Sequence, residues 1–301
     1  KVPGRTAMKT YPYYKLNAFT IGKSEGNPAA FLDLGTDSLS GDAMLSIAKE
    51  HSGFVSEVVY VTRDERGSIL LTYYSSECEV AFCGHGTIAA MYEVIRRDDG
   101  LRKTPVIEIG TNRKGRLNIY NHINEEDCIY ISAPDPLMIG CPLPKQSIGA
   151  ALGIKEGAIS VSLPLDIIDA GLRTLIVPIK NLADEISMYP DEEGLKQYCL
   201  SNDVDIVLVY SMETAAPGYF AHTRVFAPKF GYLEDPATGS GNSAFGCYLL
   251  KNGKWNGDSI KIEQGGDNRI FNEVRLRTKD GKVLFGGKAA LRIEGKYCLG
   301  E

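Results

Sequence analysis

The chain has 301 residues, enough to bury a large core, and its 44% apolar and 24% charged residues are the balance of a soluble globular protein. A net charge of −5 without a basic run argues against nucleic acid as a partner. No apolar stretch approaches the roughly 20 residues of a membrane span, so no membrane partner is expected either.

Seven cysteines without Cys-x-x-Cys spacing point to free thiols in a reducing cytoplasm. Residues 1–7 lack the apolar core of a signal peptide and read as a tag remnant or a disordered start. A first strand is predicted at 14–20, then a Gly-x-x-x-Gly-Asn-Pro turn and a second strand at 29–34. Ser40 caps a helix in which Ala43, Met44, Ile47 and Ala48 keep helical spacing. Strands at 58–62 and 69–74 flank a polar turn at 63–67, and a hairpin is predicted over 106–110 and 116–120, with 128–132 closing the half. Residues 133–146 carry Pro134, Pro136, Pro142 and Pro144, so 135–144 reads as a linker between halves at 8–134 and 145–301. The second half is predicted to contain helices near 148–152 and 191–200, and strands at 161–168, 173–179, 204–210 and 219–227. A buried helix at 240–250 and antiparallel strands at 260–263, 273–278, 282–287 and 289–293 finish it, the last strand being free to cross back to the first half.

The stretch Cys83-Gly84-His85-Gly86-Thr87 opens the segment Ile88-Ala89-Ala90-Met91-Tyr92-Glu93-Val94-Ile95, which is apolar on nearly every side. A helix apolar all round is a buried helix. Its first turn therefore brings unpaired N–H groups and the positive end of the dipole into the protein, a natural cradle for a small anion. Residues 234–250 repeat the arrangement with Asp235-Pro236-Ala237-Thr238-Gly239-Ser240. Residues 26–32 match 171–177, 58–61 match 207–210, 73–75 match 225–227, and Cys83 falls opposite Pro236. These offsets run from 145 to 153 with order preserved, so the chain reads as two copies of one unit. Many strands and one wholly apolar helix per half predict an α+β fold, each half a strongly curved sheet wrapped round its buried helix.

Phe19-Thr20, Gly26-Asn27-Pro28-Ala29, Ser56-Glu57, Cys83-Gly84-His85-Gly86-Thr87 and Glu234-Asp235-Pro236-Ala237-Thr238-Gly239-Ser240 resemble the phenazine-biosynthesis-like (PhzF-type) isomerase family, which shares the diaminopimelate epimerase fold. The resemblance runs from residue 15 to about 265. It implies two pseudo-twofold-related halves, each a mostly antiparallel barrel-like sheet around a central helix, with the active site in the cleft at which both helix N-termini point. Gly86 replaces the family's usual alanine, Gly241-Asn242 stand where Ala-His is frequent, and the C-terminal motif is reduced to Gln264-Gly265-Gly266-Asp267-Asn268-Arg269.

Racemases of this fold use two opposed cysteines. With Pro236 opposite Cys83, two-thiol epimerisation is not expected, and a single group that takes a proton and returns it on the same face is. The resemblance assigns that shuttle to Glu57. An apolar setting from Phe54, Val55, Val58 and Val59 would raise its pKa towards working pH. His85 would hold or polarise a substrate carboxylate, Asp235 an amino or hydroxyl group, and Ser240 a carboxylate, while Gly84, Gly86 and Gly239 leave the backbone open as an anion cradle. Asn27 and Ser56 complete the substrate-binding set. Each has a plainer reading: Glu57 as a solvated strand-edge carboxylate, His85 as a locally satisfied helix start, Asp235 and Asn27 as turn residues, and Ser240 as a cap. Cys78, Cys83 and His85 lack a fourth ligand and good spacing, so no metal is expected, and no nucleotide motif calls for a cofactor. The expected protein is a cytoplasmic, cofactor-independent isomerase of a small carboxylate-bearing metabolite, working as a homodimer. The alternatives are an amino-acid epimerase or racemase using Cys83, and a non-catalytic small-molecule-binding relative.

Overall fold

The computed structural model describes residues 9–266 and 270–300, so residues 1–7 and the 267–269 stretch lie outside the described residues. The chain divides into two compact units. The first comprises residues up to Ala18, Pro28–Ile129 and the chain from Lys288 on; the second comprises Phe19–Asn27 and Tyr130–Gly287.

In chain order come β1 (Thr10–Ala18), β2 (Asn27–Gly35), α1 (Gly41–Glu50), β3 (Glu57–Arg63), β4 (Ile69–Ser75) and β5 (Glu79–Val80). The buried helix α2 (Gly84–Arg97) follows, then α3 (Asp99–Arg102), β6 (Val106–Thr111), β7 (Gly115–His122) and α4 (Ile123–Glu126). Strand β8 (Cys128–Ser132) carries the chain into the second unit. There it forms β9 (Leu137–Met138), α5 (Lys145–Ala151), β10 (Asp166–Asp169), β11 (Arg173–Pro178), α6 (Leu182–Ile186) and α7 (Glu192–Ser201). These are followed by β12 (Ile206–Ser211), β13 (Ala221–Phe226), β14 (Glu234–Asp235), α8 (Gly239–Lys251), β15 (Ile260–Gln264), β16 (Asn272–Lys279) and β17 (Lys282–Gly287). Strand β18 (Ala289–Cys298) belongs to the first unit again and pairs antiparallel with the whole of β1.

Both units are mixed α and β and follow one pairing plan. In the first, β2–β3 is parallel, β3–β4 and β4–β5 antiparallel, β4–β6 parallel and β6–β7 antiparallel. In the second, β11–β12 is parallel, β12–β13 and β13–β14 antiparallel, β13–β15 parallel and β15–β16 antiparallel. The duplication read from the sequence is therefore a duplication of strand order and direction. Its register needs correction at the helices. Strands β5 and β14 and helices α2 and α8 are offset by 155 (239 − 84), so Thr238, not Pro236, stands in the place of Cys83. The hairpin before β14 is longer than the one before β5, which slides the second helix relative to the strands.

Local chemistry fixes the elements. Ser40 accepts from the Ala43 amide and caps α1, whose Ile47 and Ala48 join a core with Leu32, Val58, Tyr60 and Tyr74. At the β3–β4 turn the Asp64 carboxylate accepts from the amides of Arg66 and Ser68, and Gly67 supplies φ +82°. Strand β1 stops at Ala18 because Phe19 takes φ +62°, a conformation costly for a bulky residue. The strand expected at 161–168 is confined to β10, since the Ser160 and Ser162 hydroxyls close a turn ahead of Pro164. Helix α6, too short for a periodic signal, is capped by Asn181.

Helix α2 buries every residue from Gly86 to Ile95 and packs on β1, β3 and β18. Its Ile88, Met91 and Ile95 each contribute about 1.5–3 kcal/mol of burial. The one acid among them, Glu93, is neutralised by Arg96 at 2.7 Å and Arg97 at 2.5 Å. Helix α8 is buried in the same way from Gly241 to Leu249 and packs on β10, β11, β12, β16 and β17. Among the described residues no helix is long and apolar enough to cross a membrane.

Candidate active site

In the first unit the entrance to α2 gathers three titratable side chains from two elements. Glu57 is the first residue of β3, while Cys83 is the N-cap of α2 and His85 lies in its first turn. Glu57 Oε2 lies 3.2 Å from His85 Nε2, and Cys83 Sγ lies 3.6 Å from His85 Nδ1. The Glu57 and His85 side chains keep only 20% and 15% of their surface, and Cys83 is buried. Oε2 of Glu57 is sealed from solvent, and among the described residues it meets His85 as an ion pair without hydrogen-bond alignment.

The helix start is built to hold this shape. The Cys83 thiol accepts from the Gly86 amide at 3.2 Å, and the Thr87 hydroxyl donates to the Cys83 carbonyl at 2.7 Å. Tyr73, from β4, meets the same hydroxyl at 2.8 Å. The Gly86 and Thr87 amides are taken by the Cys83 sulfur and carbonyl, and among the described residues those of Gly84 and His85 are left to face an anion. A Cβ at Gly86 would stand 2.9 Å from both Cys83 Sγ and Val59 Cγ2, so glycine leaves the Cys83 sulfur its place at the helix start. Ser56, next to Glu57, is exposed.

The electrostatics differ from the sequence expectation. Burial pushes the Glu57 carboxyl up, but the His85 imidazole beside it, helped by the Cys83 thiol, outweighs burial and holds the carboxyl below its ordinary range. Burial pushes the His85 imidazole down, yet the Cys83 sulfur and Glu57 hold it well above its ordinary value. Burial, reinforced by Glu57, raises the Cys83 thiol and keeps it protonated. These directions favour a proton on His85 and on Cys83 over one on Glu57. The apolar neighbours of Glu57 do not set its charge, because the decisive partner comes from another element.

In the second unit the α8 entrance sets the Asp235 carboxylate among hydroxyl and amide groups. Asn27 donates to Asp235 Oδ1 at 2.9 Å and to the Ala237 carbonyl at 2.8 Å. The Thr238 hydroxyl donates to the other oxygen of Asp235. Gln264 ties the loop together: its Nε2 donates to the Asp235 carbonyl at 2.9 Å, and its Oε1 accepts from Thr238 N at 3.0 Å and from Asn242 at 2.7 Å. Asn272 donates to the Pro236 carbonyl at 2.8 Å. Gly239 is obligatory here, since a Cβ would lie 2.3 Å from the Phe285 ring. Ser240 is half-buried in the first turn of α8. The staple made by Gln264, Asn242 and Asn272 has no counterpart in the sequence reading. Gln264 stands in the degraded motif, which was the available signal.

Two groupings thus emerge. The structure brings Glu57, Gly84, His85 and Gly86 together at one helix mouth, and Asn27, Asp235, Gly239 and Ser240 at the other.

The chain is similar to known proteins along nearly its whole length. The sequence profile described as phenazine biosynthesis-like protein, PhzC-PhzF, matches residues 16–295. An uncharacterized isomerase of Bacillus subtilis strain 168, YfhB, is 29% identical over 298 residues, spanning 98% of either chain. The crystal structure of a phenazine biosynthesis protein of the PhzF family from Bacillus anthracis superposes with a TM-score of 0.82 at 25% identity, covering 96% of this chain and 99% of the other. A probable proline racemase from Agrobacterium radiobacter K84 shares the fold at a TM-score of 0.58 and 13% identity, covering 96% of this chain and 93% of the other.

Proposed function

The chain belongs to the phenazine biosynthesis-like (PhzC-PhzF) family and is an isomerase, and we propose that it moves a proton within a small carboxylate-bearing metabolite, without a cofactor, by means of Glu57. The supporting observation is the Glu57–His85 pair at 3.2 Å, seated at the N-terminus of a buried helix with the paired carboxylate oxygen sealed from solvent.

The pair suggests how a weakly basic resting carboxylate becomes a base. A substrate carboxylate arriving at the Gly84 and His85 amides competes for the His85 imidazolium. Once His85 turns its charge to the substrate, burial acts on Glu57 alone and raises its proton affinity. Glu57 then takes a proton from one substrate carbon as the electron pair moves along the conjugated system, and returns that proton to a second carbon on the same face. Asp235, Asn27, Gly239 and Ser240 are proposed as binding residues of the second unit. The network among Asn27, Asp235 and Thr238 gives them fixed positions.

Epimerisation by Cys83 is the weaker reading. The thiol is buried and held protonated, and its repeat counterpart Thr238 carries a hydroxyl already donated to Asp235. The test is a panel of small unsaturated amino and hydroxy carboxylates incubated with the protein in D2O and followed by proton NMR. Isomerisation should appear with the wild type, and Glu57→Gln should lower kcat by at least about 100-fold. Turnover surviving in Glu57→Gln, or inversion at one stereocentre lost in Cys83→Ser, would replace this reading with the epimerase.

A further inference from the structure

We propose that Gln264 is a positioning residue that keeps the α8 entrance open to an anion, by holding the Thr238 hydroxyl off the first turn of the helix. This role rests on the reading of Gly239 and Ser240 as substrate-binding residues, and adds to them the group that keeps their helix end free. The two buried helices use their N-cap residues differently. At α2 the Cys83 side chain caps the helix, its sulfur accepting from the Gly86 amide at 3.2 Å. Thr238 is the N-cap of α8, where a threonine hydroxyl ordinarily accepts from a first-turn amide, yet it makes no such bond. Its methyl faces the turn instead, 3.4 Å from where a Cβ on Gly241, the counterpart of Gly86, would stand. One staggered step of χ1, about 120°, would put the hydroxyl oxygen where the methyl is.

Gln264 opposes that step. It is the last residue of β15 and is fully buried. Two backbone groups settle which end of its amide is which: Oε1 accepts from Thr238 N at 3.0 Å, and Nε2 donates to the Asp235 carbonyl at 2.9 Å. Nε2 therefore also donates to Thr238 Oγ1, at 3.1 Å. With a lone pair engaged there, the hydroxyl sends its own proton to Asp235 Oδ2. Asn242 Nδ2 braces the arrangement by donating to Gln264 Oε1 at 2.7 Å. The Thr238 hydroxyl is thus held through both its oxygen and its proton, and the Gly241 amide is not spent on a cap. An amide left open at the positive end of a buried helix is what a substrate carboxylate needs.

The test titrates the full 15N-labelled chain with but-2-enoate and follows the amide resonances of Gly239, Ser240 and Gly241. All three should shift in the wild type. Gln264→Met keeps the length but not the hydrogen bonds, so the freed hydroxyl caps Gly241 and the Kd should rise at least about 10-fold, the worth of one hydrogen bond to a charged group. In this variant the Gly241 amide should lie downfield even before but-2-enoate is added. Thr238→Val has no hydroxyl to cap with and should bind within about twofold of wild type. Combining Gln264→Met with Thr238→Val should restore that affinity, a rescue that general damage to the loop would not permit. Should Gln264→Met fail to fold, Thr238→Asn supplies a capping oxygen of its own and should weaken binding as much, again against Thr238→Val. Wild-type affinity in Gln264→Met or Thr238→Asn, no rescue in the double variant, or weak binding in Thr238→Val would overturn the role of Gln264 alone. No shift at these amides in the wild type would overturn the anion-binding role of the entrance, and that of Gln264 with it.

Discussion

Burial alone would make Glu57 resist ionisation, yet His85 and Cys83 hold it below the ordinary carboxylate range. An ionised base is therefore available down to acid pH, and the acid limb of kcat/KM should lie low. Replacing His85 by Gln removes the largest lowering influence and leaves burial opposed only by the thiol, so the acid limb should move to higher pH; an unmoved limb would mean that another group titrates there. His222 shows the opposite case. It and Glu185 are both fully buried and meet at 3.1 Å, with His222 Nε2 and Glu185 Oε2 left without hydrogen bonds among the described residues. Burial, then the nearby Arg224 charge, pushes His222 down to about 3, and burial raises Glu185 well above its ordinary value, so the pair is neutral. The sign follows from proton uptake. Below the ordinary histidine value of 6.5 the unfolded chain binds a proton that folded His222 refuses, so its contribution is complete above that value and is lost as pH falls towards about 3. Between about pH 7 and about pH 4, wild type should lose about 3 kcal/mol more than His222→Gln, at ~1.4 kcal/mol per pH unit. Urea midpoints at the two pH values measure it, with Glu185 common to both proteins.

Each buried helix depends on a glycine at its mouth, and the two differ in what a methyl group would meet. At Gly239 the new Cβ would sit 2.3 Å from the Phe285 ring, which is itself 2% exposed and cannot retreat. Gly239→Ala should cost about 3 kcal/mol, read as a lower denaturation midpoint, and pairing it with Phe285→Leu should recover part of the loss through a coupling of opposite sign. At Gly86 the clash is milder, 2.9 Å to the ends of two side chains, so Gly86→Ala should change stability by less than about 1.5 kcal/mol while displacing the Cys83 sulfur. That these helices exist was legible, because an apolar run opened by small residues admits few other readings. The β3–β4 and β6–β7 hairpins were legible from their turn residues. The parallel pairs β2–β3 and β4–β6 were not, since nothing local distinguishes a parallel neighbour from an antiparallel one. The slip that set Pro236 against Cys83 has a similar origin. Matching strands gives an offset of 152 between Tyr73 and Val225, and the longer second hairpin adds the rest only after the strands end. Spacing could suggest that Cys83 meets His85. It could not show that Glu57, 26 positions before Cys83, completes the group, because that needs the path of β3 beneath α2.

Across the whole chain one strand plan is used twice, and the two copies differ chemically where their helices begin. Cys83, His85 and Thr87 of the first correspond to Thr238, Ser240 and Asn242 of the second, so the thiol and imidazole of one mouth give way to hydroxyl groups at the other, where Asp235 supplies a carboxylate. The copies also differ in continuity. The second unit is nearly one run of chain, whereas the first needs three segments, the last of them β18. Strand β18 pairs with every residue of β1, and both strands pack against α2. A helix apolar on all sides has no stable alternative once one wall is removed, because the exposed surface costs about 25 cal/mol per Å². Ending the chain after Gly287 should therefore unprotect the amides of α2, and with them the Glu57–His85 pair, while the α8 amides keep protection within about 1 kcal/mol of the full chain. Hydrogen exchange read by mass spectrometry separates the outcomes. Persistent protection of α2 would show that β1 alone suffices as a wall, and equal loss in α8 would show that the second unit depends on the same strand.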